Sequence, residues 1–139
     1  MTAAPTAPRA MAERPSLIEG YASLFGREDL SGDVVRAGAF ARSLRDAPPP
    51  MLLQHRTGSV VGRWVRLTET GQGLFVRGLI ESDVAAHLAR TGLDGLSIGF
   101  RPRLWTPRPT GGRVLIDVEL VEISLVAEPM QPAARFELV

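Results

Sequence analysis

The stretch LDGLSIGF, Leu93 to Phe100, decides how the rest of the chain is read. Taken as a strand, it sends Leu96, Ile98 and Phe100 to one face by simple alternation. Gly95, Ser97 and Gly99 share the other face, a strip with almost no side-chain bulk apart from one hydroxyl. Glycine inside a strand weakens it and often marks a place where another backbone comes close. A hydroxyl on so bare a strip suits a serine nucleophile that meets an extended peptide. It equally suits a tight packing contact, so the motif alone leaves both readings open.

Outward from this strip, most periodic segments have strand character. SLIEGYASLFG reads as a strand at about 17–25, and MLLQH as another that places Met51, Leu53 and His55 on one face. VVGRWVRLTET and GLFVRGLIE are joined by GQG, a hairpin signal. RVLIDVELVEISLVAE is the longest strand pattern and is broken by the prolines of PMQPAARF. Helical spacing is confined to AGAFARSLRD, which APPP stops, and to SDVAAHLARTG. The latter has Ser82 or Asp83 as N-cap, Val84 and Leu88 on one face, and Gly92 as terminator. The pattern predicts a β-rich α+β fold, a small curled sheet or barrel of about six to seven strands with a few short helices. Residues 16–139 are expected to form a single domain, and residues 1–15, rich in Ala, Pro and Arg, a flexible N-terminal arm.

Composition removes several classes of function. At 139 residues the chain can bury a real core, and 45% apolar with 22% charged residues is ordinary globular usage. A net charge of +1 gives no bulk attraction to nucleic acid or to a membrane surface, and no partner of either kind is expected. All 16 basic residues are arginines, a bias that reads as genomic codon usage. The absence of cysteine excludes disulfides, thiol catalysis and cysteine-ligated zinc. Two histidines, His55 and His87, are too few for a multi-histidine metal centre, and no cofactor is expected. No apolar run approaches the roughly 18 residues of a membrane span, and no signal segment is apparent, which predicts a cytoplasmic protein.

A serine needs a neighbouring base to accept its proton, and histidine is the usual one. His87 lies on a helix flank beside Leu88 and is read as having no catalytic part. His55 ends an apolar strand just before the turn-like RTGS, where a side chain can reach a sheet rim. A half-buried histidine bonded to a carbonyl would look the same. An acid that orients the base is the third requirement, and the last long strand offers Asp117, Glu119 and Glu122. Parity places Glu122 with Ile116, Val118, Leu120, Ser124 and Val126, among apolar or small neighbours. An inward carboxylate needs a partner, and one of the many arginines could serve as well as a histidine.

Several segments in order resemble the prohead maturation proteases of tailed phages and gene transfer agents. They are GYASLFGREDLSGDVVRAGAFARSL, MLLQH, VVGRWVRLTETGQGLFVRGLI, LDGLSIGF and VELVEISLVAEPMQPAA, together covering nearly everything from Ile18 to Arg135. The resemblance implies a herpesvirus-assemblin-like fold and a serine endopeptidase. Its triad falls on His55 as base, Ser97 as nucleophile and Glu122 as orienting acid, with Gly95 and Gly99 as a substrate strip. After the histidine, RTGSVVGRW departs from the family's usual acidic residue and proline-containing turn. The implied substrate is the major capsid protein precursor or its scaffold segment, cut inside the assembling prohead in the bacterial host cytoplasm. A homodimer or larger assembly is expected, and the loop at 128–133 is implied as a source of oxyanion donors. The competing reading is a non-catalytic capsid-assembly or scaffolding module of the same fold.

Overall fold

In a computed structural model, residues 16–139 are described; the expected N-terminal arm, 1–15, lies outside them. The chain forms β1 (Ser16–Leu24), β2 (Val34–Val35), β3 (Pro50–Leu53), β4 (Val60–Glu69), β5 (Gly73–Ile80), α1 (Asp83–Arg90), β6 (Gly95–Pro107), β7 (Arg113–Val126) and β8 (Phe136–Leu138). All eight strands belong to one mixed sheet in the order β2-β7-β3-β4-β5-β1-β8, with β6 paired to β7. The count exceeds the six to seven expected because β2 and β8 span only two and three residues, too short to display a period.

β7 pairs with three other strands. It runs antiparallel to β6 along its length, and parallel to β2 at Val114–Leu115 and to β3 at Ile123–Leu125. At the far side of the sheet, β8 pairs with β1. Leu96 N–H donates to the Ala134 carbonyl (2.9 Å) and Phe136 N–H to the Asp94 carbonyl (2.8 Å), so the start of β6 meets the segment that enters β8. The sheet therefore curls until its ends touch. Inside the curl lie Ile18, Phe40, Met51, Trp64, Leu74, Val76, Ile80, Leu96, Leu115, Val118, Ile123 and Leu125, all buried. Each such side chain contributes about 1.5–3 kcal/mol by leaving water.

Only one α-helix forms among the described residues. Ser82 caps α1 by accepting the Ala85 N–H (3.2 Å), as expected of SDVAAHLARTG. Its packed face is Ala85 and Ala86, whereas Val84 and Leu88 point outward. AGAFARSLRD, read as a short helix, is a series of turns with a single 3-10 turn at Ser43–Arg45. Tertiary contacts override its local propensity. Phe40 is buried, its N–H donates to the Glu69 carboxylate (2.8 Å), the Ala39 carbonyl accepts from Val118 N–H (3.0 Å), and Ser43 Oγ accepts from Leu120 N–H (2.9 Å).

Candidate active site

His55 is not the last residue of a strand. β3 ends at Leu53, and Gln54 and His55 both take positive φ, 54° and 61°. With the Arg56 N–H bonded to the Leu53 carbonyl (3.1 Å), they are the centre of a tight turn of the kind that glycine and asparagine normally fill. A left-handed non-glycine residue costs on the order of 1–3 kcal/mol and persists only when its surroundings hold it. Three bonds hold this turn. Gln54 N–H donates to the Leu125 carbonyl (2.9 Å), Gln54 Oε1 accepts from Ala127 N–H (2.7 Å), and His55 N–H donates to Ser124 Oγ (3.2 Å).

The alternation expected along β7 is also interrupted. Gly99 pairs with Glu122 but Phe100 pairs with Leu120, so Val121 is an extra, unpaired residue, a β-bulge. A second irregularity leaves Ile116 between the partners of Trp105 and Leu104. The core-facing set is therefore Leu115, then Val118 and Leu120, then Ile123 and Leu125. Glu122 and Ser124 do not share a face with Val118 and Leu120, as unbroken alternation required. The bulge turns them to the outer face, beside the His55 turn. They are nonetheless almost buried, at 8% and 0% exposure, because that turn covers them.

There Glu122 Oε2 meets His55 Nδ1 at 2.6 Å, and Glu122 Oε1 accepts from Ser124 Oγ at 2.6 Å. Ser97 pairs directly with Ser124 across β6 and β7, so its hydroxyl emerges on this same face. Ser97 Oγ makes no hydrogen bond among the described residues, yet Ser97 and His55 line one cavity of about 310 Å³. Apo sites commonly leave the serine–histidine contact loose until substrate arrives. The structure thus brings His55, in the turn after β3, together with Ser97 of β6 and Glu122 of β7. His87 sits on α1, apart from them.

The strip of glycines is not open. A Cβ on Gly99 would overlap the carboxylate of Glu122, and one on Gly95 would lie 2.9 Å from Pro129 Cδ. The bareness of the strip accommodates the protein's own acid at Gly99 and Pro129 of the 128–133 loop at Gly95. That loop is fixed by Gln131, whose amide accepts from Leu24 N–H (2.7 Å) and donates to the Leu24 carbonyl (2.9 Å).

The rest of the cavity wall is mainly apolar, including Ala22, Val35, Ile98, Phe100 and Met130. At one edge Asp33 and Arg113 form an ion pair (2.7 Å), reinforced by Arg113 N–H on Asp33 Oδ1 (2.9 Å). Hydrogen bonding from the Arg113 guanidinium holds the Asp33 carboxyl below its ordinary range despite burial, and the carboxylate raises Arg113 in return. One oxygen of Asp29, Oδ1, accepts from Ser31 N–H, Ser31 Oγ and Asp33 N–H. The pairing of DLSGD with Arg113 could not be read from sequence, since nothing local links residues 80 positions apart.

Comparison with known proteins bears on the family and the fold. The model of the caudovirus prohead serine protease family matches residues 5–139. The prohead protease of Enterobacteria phage HK97 is 32% identical over 133 residues, 87% of this chain. The chain spans 59% of that relative's length. Among solved structures, the Kaposi's sarcoma herpesvirus protease with a hexapeptide phosphonate inhibitor superposes with a TM-score of 0.62 at 18% identity, covering 88% of this chain and 64% of that one. The bacteriophage T4 capsid assembly protease gives 0.62 at 14% identity, covering 79% and 80%. These two likenesses establish the assemblin-like fold, and the family match over nearly the whole chain establishes kinship: the chain belongs to the caudovirus prohead serine protease family.

Proposed function

We propose that the chain is a serine endopeptidase that cleaves the major capsid protein precursor, or a scaffold segment attached to it, within the assembling prohead. The observation that carries this reading is the 2.6 Å contact of His55 Nδ1 with Glu122 beside Ser97, in a chain of this family. With Nδ1 donating to the carboxylate, Nε2 keeps its lone pair and serves as the base. Ser97 Oγ attacks the scissile carbonyl while His55 Nε2 takes its proton, and Glu122 stabilises the imidazolium. The tetrahedral intermediate collapses as His55 protonates the leaving amine, which leaves an ester on Ser97. Water then attacks the ester, giving its proton to His55, and the new carboxyl terminus departs as that proton returns to Ser97.

The substrate side chain nearest the cut enters the cavity that His55 and Ser97 share. Its apolar wall and its self-neutralised Asp33–Arg113 edge favour an uncharged side chain. The test is co-expression with the cognate capsid precursor, comparing wild type with Ser97→Ala by intact mass. Loss of a discrete segment with wild type alone is the expected result. A precursor that stays full length in assembled particles with both proteins overturns the reading in favour of a scaffolding role.

A further inference from the structure

Ser124 is completely buried. Its hydroxyl lies between two parts of the proposed site. It accepts from the His55 backbone N–H (3.2 Å) and donates to Glu122 Oε1 (2.6 Å), while the other oxygen of Glu122 meets the His55 ring (2.6 Å). The three contacts close a ring through His55 itself: backbone N–H, Ser124 hydroxyl, Glu122 carboxylate, imidazole. Ser124 also lies in register with Leu52 of β3 on one side and Ser97 of β6 on the other. It is therefore anchored to both strands that deliver the other two groups.

We propose that Ser124 is a positioning residue for the proposed proteolysis, and this rests on the protease reading above. One hydroxyl performs two tasks. It satisfies the N–H of a histidine held in a left-handed conformation, and it fixes which way the carboxylate plane faces the ring. A carboxylate accepts but never donates, and a backbone N–H donates but never accepts, so only a group with both capacities joins them. A hydroxyl has both, and serine is the smallest side chain that carries one. Without it, the buried Glu122 loses a donor, and the His55 turn loses the only one of its three bonds made by His55 itself.

The experiment compares wild type, Ser97→Ala, Ser124→Ala, Ser124→Cys and Ser124→Thr. Cleavage kinetics, thermal melting and the low-field proton resonance of the His55 ring are measured for each. The expected result for Ser124→Ala is a fall of about tenfold to a hundredfold in kcat with KM unchanged. The ring proton resonance is lost while melting stays cooperative, and Ser124→Thr regains part of both signals. If Ser124→Ala does not fold, Ser124→Cys, which keeps the volume but bonds weakly, takes its place with the same expectation. Wild-type kcat and an unchanged ring resonance in either variant overturn the proposal. If wild type itself leaves the substrate intact, the protease reading fails, and the ring resonance still decides whether Ser124 orients the pair.

Discussion

Gly99→Ala offers the sharpest separation between two roles for the glycine beside Ser97. The added methyl would lie 2.7 Å from Glu122 Cδ and 2.8 Å from Cγ, against ordinary contact that begins near 3.4 Å. The carboxylate must withdraw by about 0.7 Å, because the methyl is held by the strand and cannot yield. A movement of that size takes the 2.6 Å contact with His55 beyond the roughly 3.2 Å limit of a hydrogen bond. Misplacement on this scale costs about a hundredfold in rate, and overpacking costs about 1–3 kcal/mol in stability. The assay is peptide cleavage under saturating substrate, with a urea melt alongside. If Gly99 serves to seat Glu122, kcat falls and KM holds. If it serves as substrate strip, KM rises and kcat holds. Wild-type values of both would refute the seating argument altogether.

The remaining predictions concern what frames the cavity. Asp33→Asn should cost about 1.5–3 kcal/mol at neutral pH, since it removes a charge-assisted pairing with Arg113. Because the folded carboxyl lies below its ordinary 3.8, the pairing stabilises fully above that value and is lost as pH falls through the lower one. Urea melts from pH 7 downwards should therefore show the wild type and Asp33→Asn converging only in acid; a constant gap across that range contradicts the assignment. Gln131→Ala should cost about 1–3 kcal/mol by leaving the buried Leu24 N–H and carbonyl unpaired. A loss under about 0.5 kcal/mol, the size of a neutral surface change, would contradict that.

Long periodic segments were legible in the sequence because their burial follows the strand period. β1, β4, β5, β6 and β7 all form where alternation places them. Placing Gly95, Ser97 and Gly99 on the face opposite Leu96 rests on the same logic, and Ser97 does emerge opposite buried Leu96. Two features broke the period without a local signal. The bulge at Val121 reverses which residues of β7 face out, so Glu122, which alternation set inward with Val118 and Leu120, lies on the outer face. The Gln54–His55 turn lacks the glycine or asparagine that would announce it, because Ser124 and Leu125, about seventy residues later, supply the bonds that hold it. Strain sustained from a distance is invisible to any reading confined to neighbours along the chain. Ser124 was visible in principle, two residues beyond Glu122 and sharing its parity.

The placement of β7 between β3 and β6 has a consequence for when the protein acquires its chemistry. His55 and the acid it meets are 67 positions apart, and the turn carrying His55 is bonded to residues 124, 125 and 127. During synthesis the histidine and, later, Ser97 emerge well before the strand that aligns them. Until residue 127 has left the ribosome and β7 has inserted, the imidazole has no acid and its left-handed backbone no tether. Closing so long a loop is among the slower steps of folding. Under the proposed mechanism, a nascent or half-folded chain is therefore inert, and proteolytic competence comes only with the completed sheet.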